Sequence, residues 1–166
     1  MHDNLPRQEA TWYEMLRQVV QNHATTERLG AWNIYMATLS LLAAVCREWY
    51  ARGTAPPTLL ANIAQTLKDG LATGSHQSPL RPYPLPTPEA VEATKVAATQ
   101  SLTRALAILL GDVGRAQGLS LAGACRVAVF LVRDTLVVLL QDYALVEIEA
   151  MIDHALVVHL TMYLQT

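Results

Sequence analysis

The sequence predicts an all-α fold, a single-domain bundle of five to six helices around an apolar central helix at about 120–140, with a Pro-rich extended strap at 74–88. Three observations carry this. Apolar residues recur at three- and four-residue spacing, the period of a helix face. Leu, Ala and Val dominate a chain whose aromatic share is 6% and which has a single Phe, a composition suited to helices rather than sheets. Gly and Pro fall in clusters between segments of helical length, and no Asn-Gly or Asp-Gly turn is flanked by period-two alternation.

The first helix is expected at about 8–23, burying Trp12, Met15, Leu16, Val19 and Val20 in one stripe. Thr25 and Thr26 mark its end, either able to cap the next helix. The second runs over about 27–52 and is closed by Gly53, a residue suited to a left-handed terminator. Pro56–Pro57 then restart the chain, since a first helical turn tolerates proline, and the third helix covers about 57–72. Five of the eight prolines follow within 74–88; their alternation at Pro82, Pro84, Pro86 and Pro88 favours an extended strap packed through Leu80, Tyr83 and Leu85. Thr87-Pro88-Glu89 reads as cap, first-turn proline and favourable acid, opening a fourth helix at about 88–110. Gly111, Gly114 and Gly118 predict a break or kink within 111–119, and Ser120 caps the fifth helix. From Ala124 to Thr166 there is neither Gly nor Pro. Compactness predicts a break near Gln141–Asp142, with Asp142 as cap, and a sixth helix at about 143–164.

At 166 residues the chain fits one domain, 1–166, able to bury roughly 70% of its unfolded surface. Hydrophobic residues make up 52% and charged residues 16%, below the usual quarter or so. Either the core is unusually deep or part of the surface is covered by another molecule. The net charge is −2 and the twelve basic residues are scattered singly, so no footprint for nucleic acid exists. No segment offers the Arg, Lys, Asn and Gln of a helix-turn-helix recognition helix. The two cysteines, Cys46 and Cys125, each lie in an apolar stretch, which points to a reducing compartment and a cytoplasmic location. The polar, charged first residues do not resemble a secretory leader. Leu29 to Cys46 is eighteen uncharged residues, the lower limit for a membrane span, but Asn33, Tyr35, Thr38 and Ser40 interrupt it. Leu119 to Leu140 carries Arg126, Arg133 and Asp134, each costing about 2.5–3.5 kcal/mol near mid-span. No transmembrane span is expected, although contact with a membrane complex stays compatible with the sequence.

Catalytic motifs are wanting. His154 and His159 are five apart and point roughly 140° from each other on a helix, whereas metal pairs favour spacings of three or four. No nucleophile elbow, phosphate loop or dinucleotide fingerprint occurs. Cys46 and Cys125 sit on small apolar faces typical of inert packing thiols. The expectation is no enzyme, no cofactor and no metal.

Arg126 and Arg133, seven apart on one face of the apolar helix, are the most informative charges. They must be paired or reach an edge. If the last two helices form an antiparallel hairpin, Arg133 lies near the level of Glu149 to Asp153, and an internal ion-pair ladder between those helices is the first expectation. The alternative aims both guanidiniums at an anionic ligand or a partner's carboxylates. Trp12, Trp32, Trp49 and Tyr50 are the large amphipathic side chains of the first two helices and the candidate partner contacts, Trp49–Tyr50 foremost. Pro79-Leu-Arg-Pro82 fits a polyproline ligand only superficially, and an ordered strap is not free to dock.

The expected function is therefore a non-enzymatic helical interaction module: an adaptor, chaperone-like or structural subunit. It would act through apolar helix faces in a homo- or hetero-oligomer, with an interface of at least about 1,000 Å². The alternative is a helical-bundle sensor or carrier holding a small apolar or anionic ligand near Arg126 and Arg133, beside Gly123, Ala124 and Cys125.

Overall fold

The computed structural model describes residues 5–73, 78–82 and 95–156, and among them every regular element is helical. Helix α1 spans Arg7–Thr26 and buries Glu9, Trp12, Tyr13, Leu16, Val20 and Ala24. Trp12, Leu16 and Val20 of the expected stripe are buried, but Met15 is 41% exposed and Val19 half-buried, while Tyr13 is buried with its hydroxyl on Asp134 inside the core. The helix also outruns its expected end. Thr25 and Thr26 stay helical, and the reversal falls at Arg28, whose φ of 57° lets the Leu29 N–H reach the Ala24 carbonyl at 3.0 Å. Helix α2, Ala31–Ala51, consequently starts behind Gly30, not behind a threonine. It ends at Gly53, with φ 74°, as the sequence predicts.

Pro56 closes a turn with the Leu59 N–H at 3.1 Å, so the proline pair precedes α3, Leu59–Thr73, and does not form its first turn. Of the strap, residues 78–82 are described. Leu80 is 2% exposed, and Arg81 is held by two reciprocal bonds: its N–H donates to Gln21 Oε1 at 2.8 Å and its carbonyl accepts from Gln21 Nε2 at 3.0 Å. Tyr83, Leu85 and the Thr87-Pro88-Glu89 helix start lie outside the described residues.

Helix α4, Val96–Ala107, runs without interruption into a π-helical segment, Ile108–Gly114. The buried positions Leu102, Leu106, Leu110 and Gly114 explain the widening. A strict four-residue repeat drifts by about 40° per step on an α-helix of 3.6 residues per turn, and wider turns return the stripe to the core. The expected break thus comes later, at Gly118 with φ 90°. There the Leu119 N–H reaches Gly114 O at 2.9 Å and the Gly118 N–H reaches Arg115 O at 3.1 Å, a Schellman closure.

Helix α5, Leu121–Leu139, is capped by Ser120, whose Oγ accepts the Gly123 N–H at 3.0 Å. Fourteen of its nineteen residues are buried, which makes it the central helix. It packs against α2 most extensively, then against α1 and α3, while α4 lies on α1 and α2. Ile34, near the start of α2, lines one small void with Thr135 and Val138, near the end of α5. Trp49, near the end of α2, lies close to Ala122 and Cys125 at the start of α5. The two helices are antiparallel.

The chain turns again after Leu139, and α6 spans Leu145–Asp153 before a π turn through residue 156. Its N-cap is Ala144 and not Asp142, whose N–H is engaged by Leu139 O at 3.0 Å in the preceding turn. Glu147 substitutes for a capping side chain by accepting the Ala144 N–H at 3.2 Å. No described helix is long and apolar enough to cross a membrane.

Candidate groove between α3 and α5

Helix α5 is covered by α2 and α1 along most of its length, but α3 leaves an open groove of about 640 Å³ against it. Leu59, Ile63 and Leu67 form the α3 wall, Val129 and Phe130 the α5 wall, and Trp49 closes one end. Three charged groups break this apolar lining, Arg126, Arg133 and, from α3, Asp69, together with the polar Asn62 and Thr66.

The two arginines are held differently. Arg126 makes a two-pronged bond to Glu9 of α1, with Nε to Oε1 at 2.7 Å and Nη2 to Oε2 at 2.8 Å. Glu9 is 7% exposed, so the guanidinium offsets the cost of a buried carboxylate, and the pairing in turn raises the pKa of Arg126 above its ordinary value. Arg133 is placed by its stem. Its Cδ lies 3.2 Å from where a Cβ of Gly70 would stand, so the absence of a side chain at Gly70 lets it cross α3. Its guanidinium stacks over the Phe130 ring, 4.3 Å from the centroid. Its nearest carboxylate is Asp134, 3.8 Å away, which accepts the Tyr13 hydroxyl. Burial, reinforced by Asp134, pushes the Tyr13 phenol far above its usual range. Arg133 thus has one-fifth of its side chain exposed and donates no hydrogen bond among the described residues.

The ion-pair ladder expected between the last two helices does not form. Helix α6 lies against α3 instead of along α5, and its Asp153 pairs with Lys68 of α3 at 2.6 Å. The partner of Arg126 is Glu9, 117 residues away. Of the aromatic candidates, Trp49 joins the arginines in the groove. Trp12 is buried in the core at 4% exposure, Trp32 stacks edge-on with Tyr35 and Tyr143 at 5.5 and 6.2 Å, and half-buried Tyr50 lies outside the lining. Gly123 and Ala124, expected beside the arginines, pack into the core, whereas Cys125 reaches the lining. Glu9, Gly70 and Phe130 went unnoticed in the sequence. Glu9 alone left a trace, an acid in register with the buried stripe of Trp12, Tyr13 and Leu16. Among the described residues no group of three or more His, Cys, Asp or Glu side chains gathers at metal-binding distance.

Comparison with family models, with curated proteins and with solved structures finds no match.

Proposed function

We propose that the chain is a non-enzymatic binding module whose α3–α5 groove receives an amphipathic helical segment of a partner protein, carrying at least one carboxylate. The observation that supports this most is Arg133: a guanidinium with five N–H donors, held over Phe130 at the groove and without a hydrogen-bond acceptor among the described residues. The apolar walls suit the i, i+3, i+4 anchors of a helix laid into a groove, and Trp49 is the kind of side chain that concentrates binding energy. Arg126 is already paired with Glu9, so Arg133 is the guanidinium that a carboxylate of the occupant would meet. The groove volume, about 640 Å³, also falls in the range of small-molecule sites. A small anionic amphiphile is therefore the second reading.

Display selection of helical peptides against the full chain separates the two. The expected winners carry apolar residues at helical spacing and an Asp or Glu. Their affinity falls about 30-fold or more on Arg133→Glu, the loss of an interfacial charge pair, and is unchanged by Val146→Lys on α6. Selected peptides that ignore Arg133→Glu would refute the groove. Calorimetric binding of laurate with no groove-dependent peptide would favour the small ligand.

A further inference from the structure

The two cysteines, 79 positions apart in sequence, lie on α2 and α5, the two helices that pack most extensively on each other. On antiparallel helices of equal rise, residues whose numbers share a sum stand at the same level. Ile34 of α2 shares a void with Thr135 and Val138 of α5, which fixes the register of the pair. Cys46, twelve residues after Ile34, and Cys125, ten before Thr135 and thirteen before Val138, fall at one level of that register. Both thiols are free and buried, and Cys46 lies one turn before Trp49, which lines the groove together with Cys125. They are not equally accessible. Cys46 is fully sealed, whereas Cys125 keeps 5% of its surface and lines the groove beside Arg126.

We infer that Cys46 and Cys125 are a redox modification site, a dithiol converted to an intramolecular disulfide by a hydroperoxide that enters through the α3–α5 groove. Cys125 is the attacking thiol. The neighbouring Cys46 thiol and the Arg126 guanidinium lower its pKa against the opposing effect of burial, whereas Cys125 and burial raise that of Cys46. With hydrogen peroxide, the Cys125 thiolate forms an S–O bond as the O–O bond breaks, and the departing hydroxide takes up a proton to leave as water. The product is a sulfenic acid, its sulfur oxidised by two electrons. The Cys46 sulfur then attacks that sulfur: the S–S bond forms, the S–O bond breaks, and the hydroxide leaves with the Cys46 proton as a second water. Two thiols and one peroxide give one disulfide and two waters. The chemistry needs no particular occupant of the groove, and the chain with its groove empty is the form that reacts.

The test exposes the full, folded chain to hydrogen peroxide, blocks remaining thiols, and maps cysteines by mass spectrometry after non-reducing digestion. The expected product is a monomer lighter by two hydrogens, with a Cys46–Cys125 cross-linked peptide pair that dithiothreitol reverses. In Cys46→Ser the same exposure should leave a Cys125 sulfenic acid that dimedone traps; in Cys125→Ser, Cys46 should stay reduced. Both thiols remaining reduced in the wild-type chain, or disulfides forming only between chains, would overturn the inference. So would preferential trapping of Cys46. The wild-type result is decisive even if a serine variant fails to fold.

Discussion

Glu9 is 7% exposed, whereas the Arg126 side chain bonded to it is half exposed, so the two ends of this pair stand in different media. Removing Arg126 strands a carboxylate in the core; removing Glu9 leaves a guanidinium that can turn to water. Arg126→Ala is therefore expected to cost about 3 kcal/mol and Glu9→Ala about 1 kcal/mol, read from urea midpoints of the two variants. Equal losses would show that the difference in solvent access does not matter. At this scale the sequence made Arg126 and Arg133 conspicuous, because charges inside an apolar helix need an explanation. Their surroundings were not legible. Glu9 reaches Arg126 only through the register of α1 on α5, and Arg133 depends on the gap left by Gly70, neither of which is encoded in the period of one helix.

Helix ends show the same division between local and tertiary causes. Gly53 and Ser120 act where the sequence placed them, since a left-handed terminator and a side-chain cap are local devices. Arg28 was not foreseen: a non-glycine at φ 57° is held there by the path between α1 and α2, not by its own preference. The three glycines after Leu110 looked alike in sequence, yet the structure gives them different tasks. Gly111 lies within the π segment, without positive φ and with open space where a Cβ would stand; Gly118 has the same open space but a φ of 90°. The two substitutions should therefore have opposite signs. Gly111→Ala is expected to stabilise by about 0.5–1 kcal/mol by restricting the unfolded chain, and Gly118→Ala to destabilise by about 1 kcal/mol through left-handed strain. Thermal unfolding of the two variants checks this, and two losses of similar size would mean that the π segment, too, requires glycine.

Across the molecule, the all-α class and the central helix were readable because α5 is apolar on nearly every side and so had to be surrounded. Which helices surround it was not readable: α6 follows α5 in the chain yet packs on α3, while α2, whose last residue is 70 positions before the first of α5, is its main neighbour. The low charge content has a partly internal answer. Among the described residues, a core drawn from all six helices absorbs most aliphatic side chains, and the large apolar ones left exposed, Met15, Met36, Val96, Ile108, Val113 and Val146, are spread over five different elements. Among the described residues, the α3–α5 groove offers an apolar surface with a shape fit for an occupant. This arrangement also sets how stability is distributed. Helix α5 has neighbours on three sides, whereas α6 buries Ile148 and Ile152 of its nine residues and leans chiefly on α3. Opening α6 exposes little and leaves the α2–α5 pair intact; opening α5 dismantles the core. Native-state hydrogen exchange should therefore find the slowest amides between Val127 and Leu136, exchanging only by global unfolding, and faster, sub-global exchange in α6. Protection in α6 equal to that of α5 would mean that the last helix belongs to the same cooperative unit, and that its few buried contacts matter far more than their area suggests.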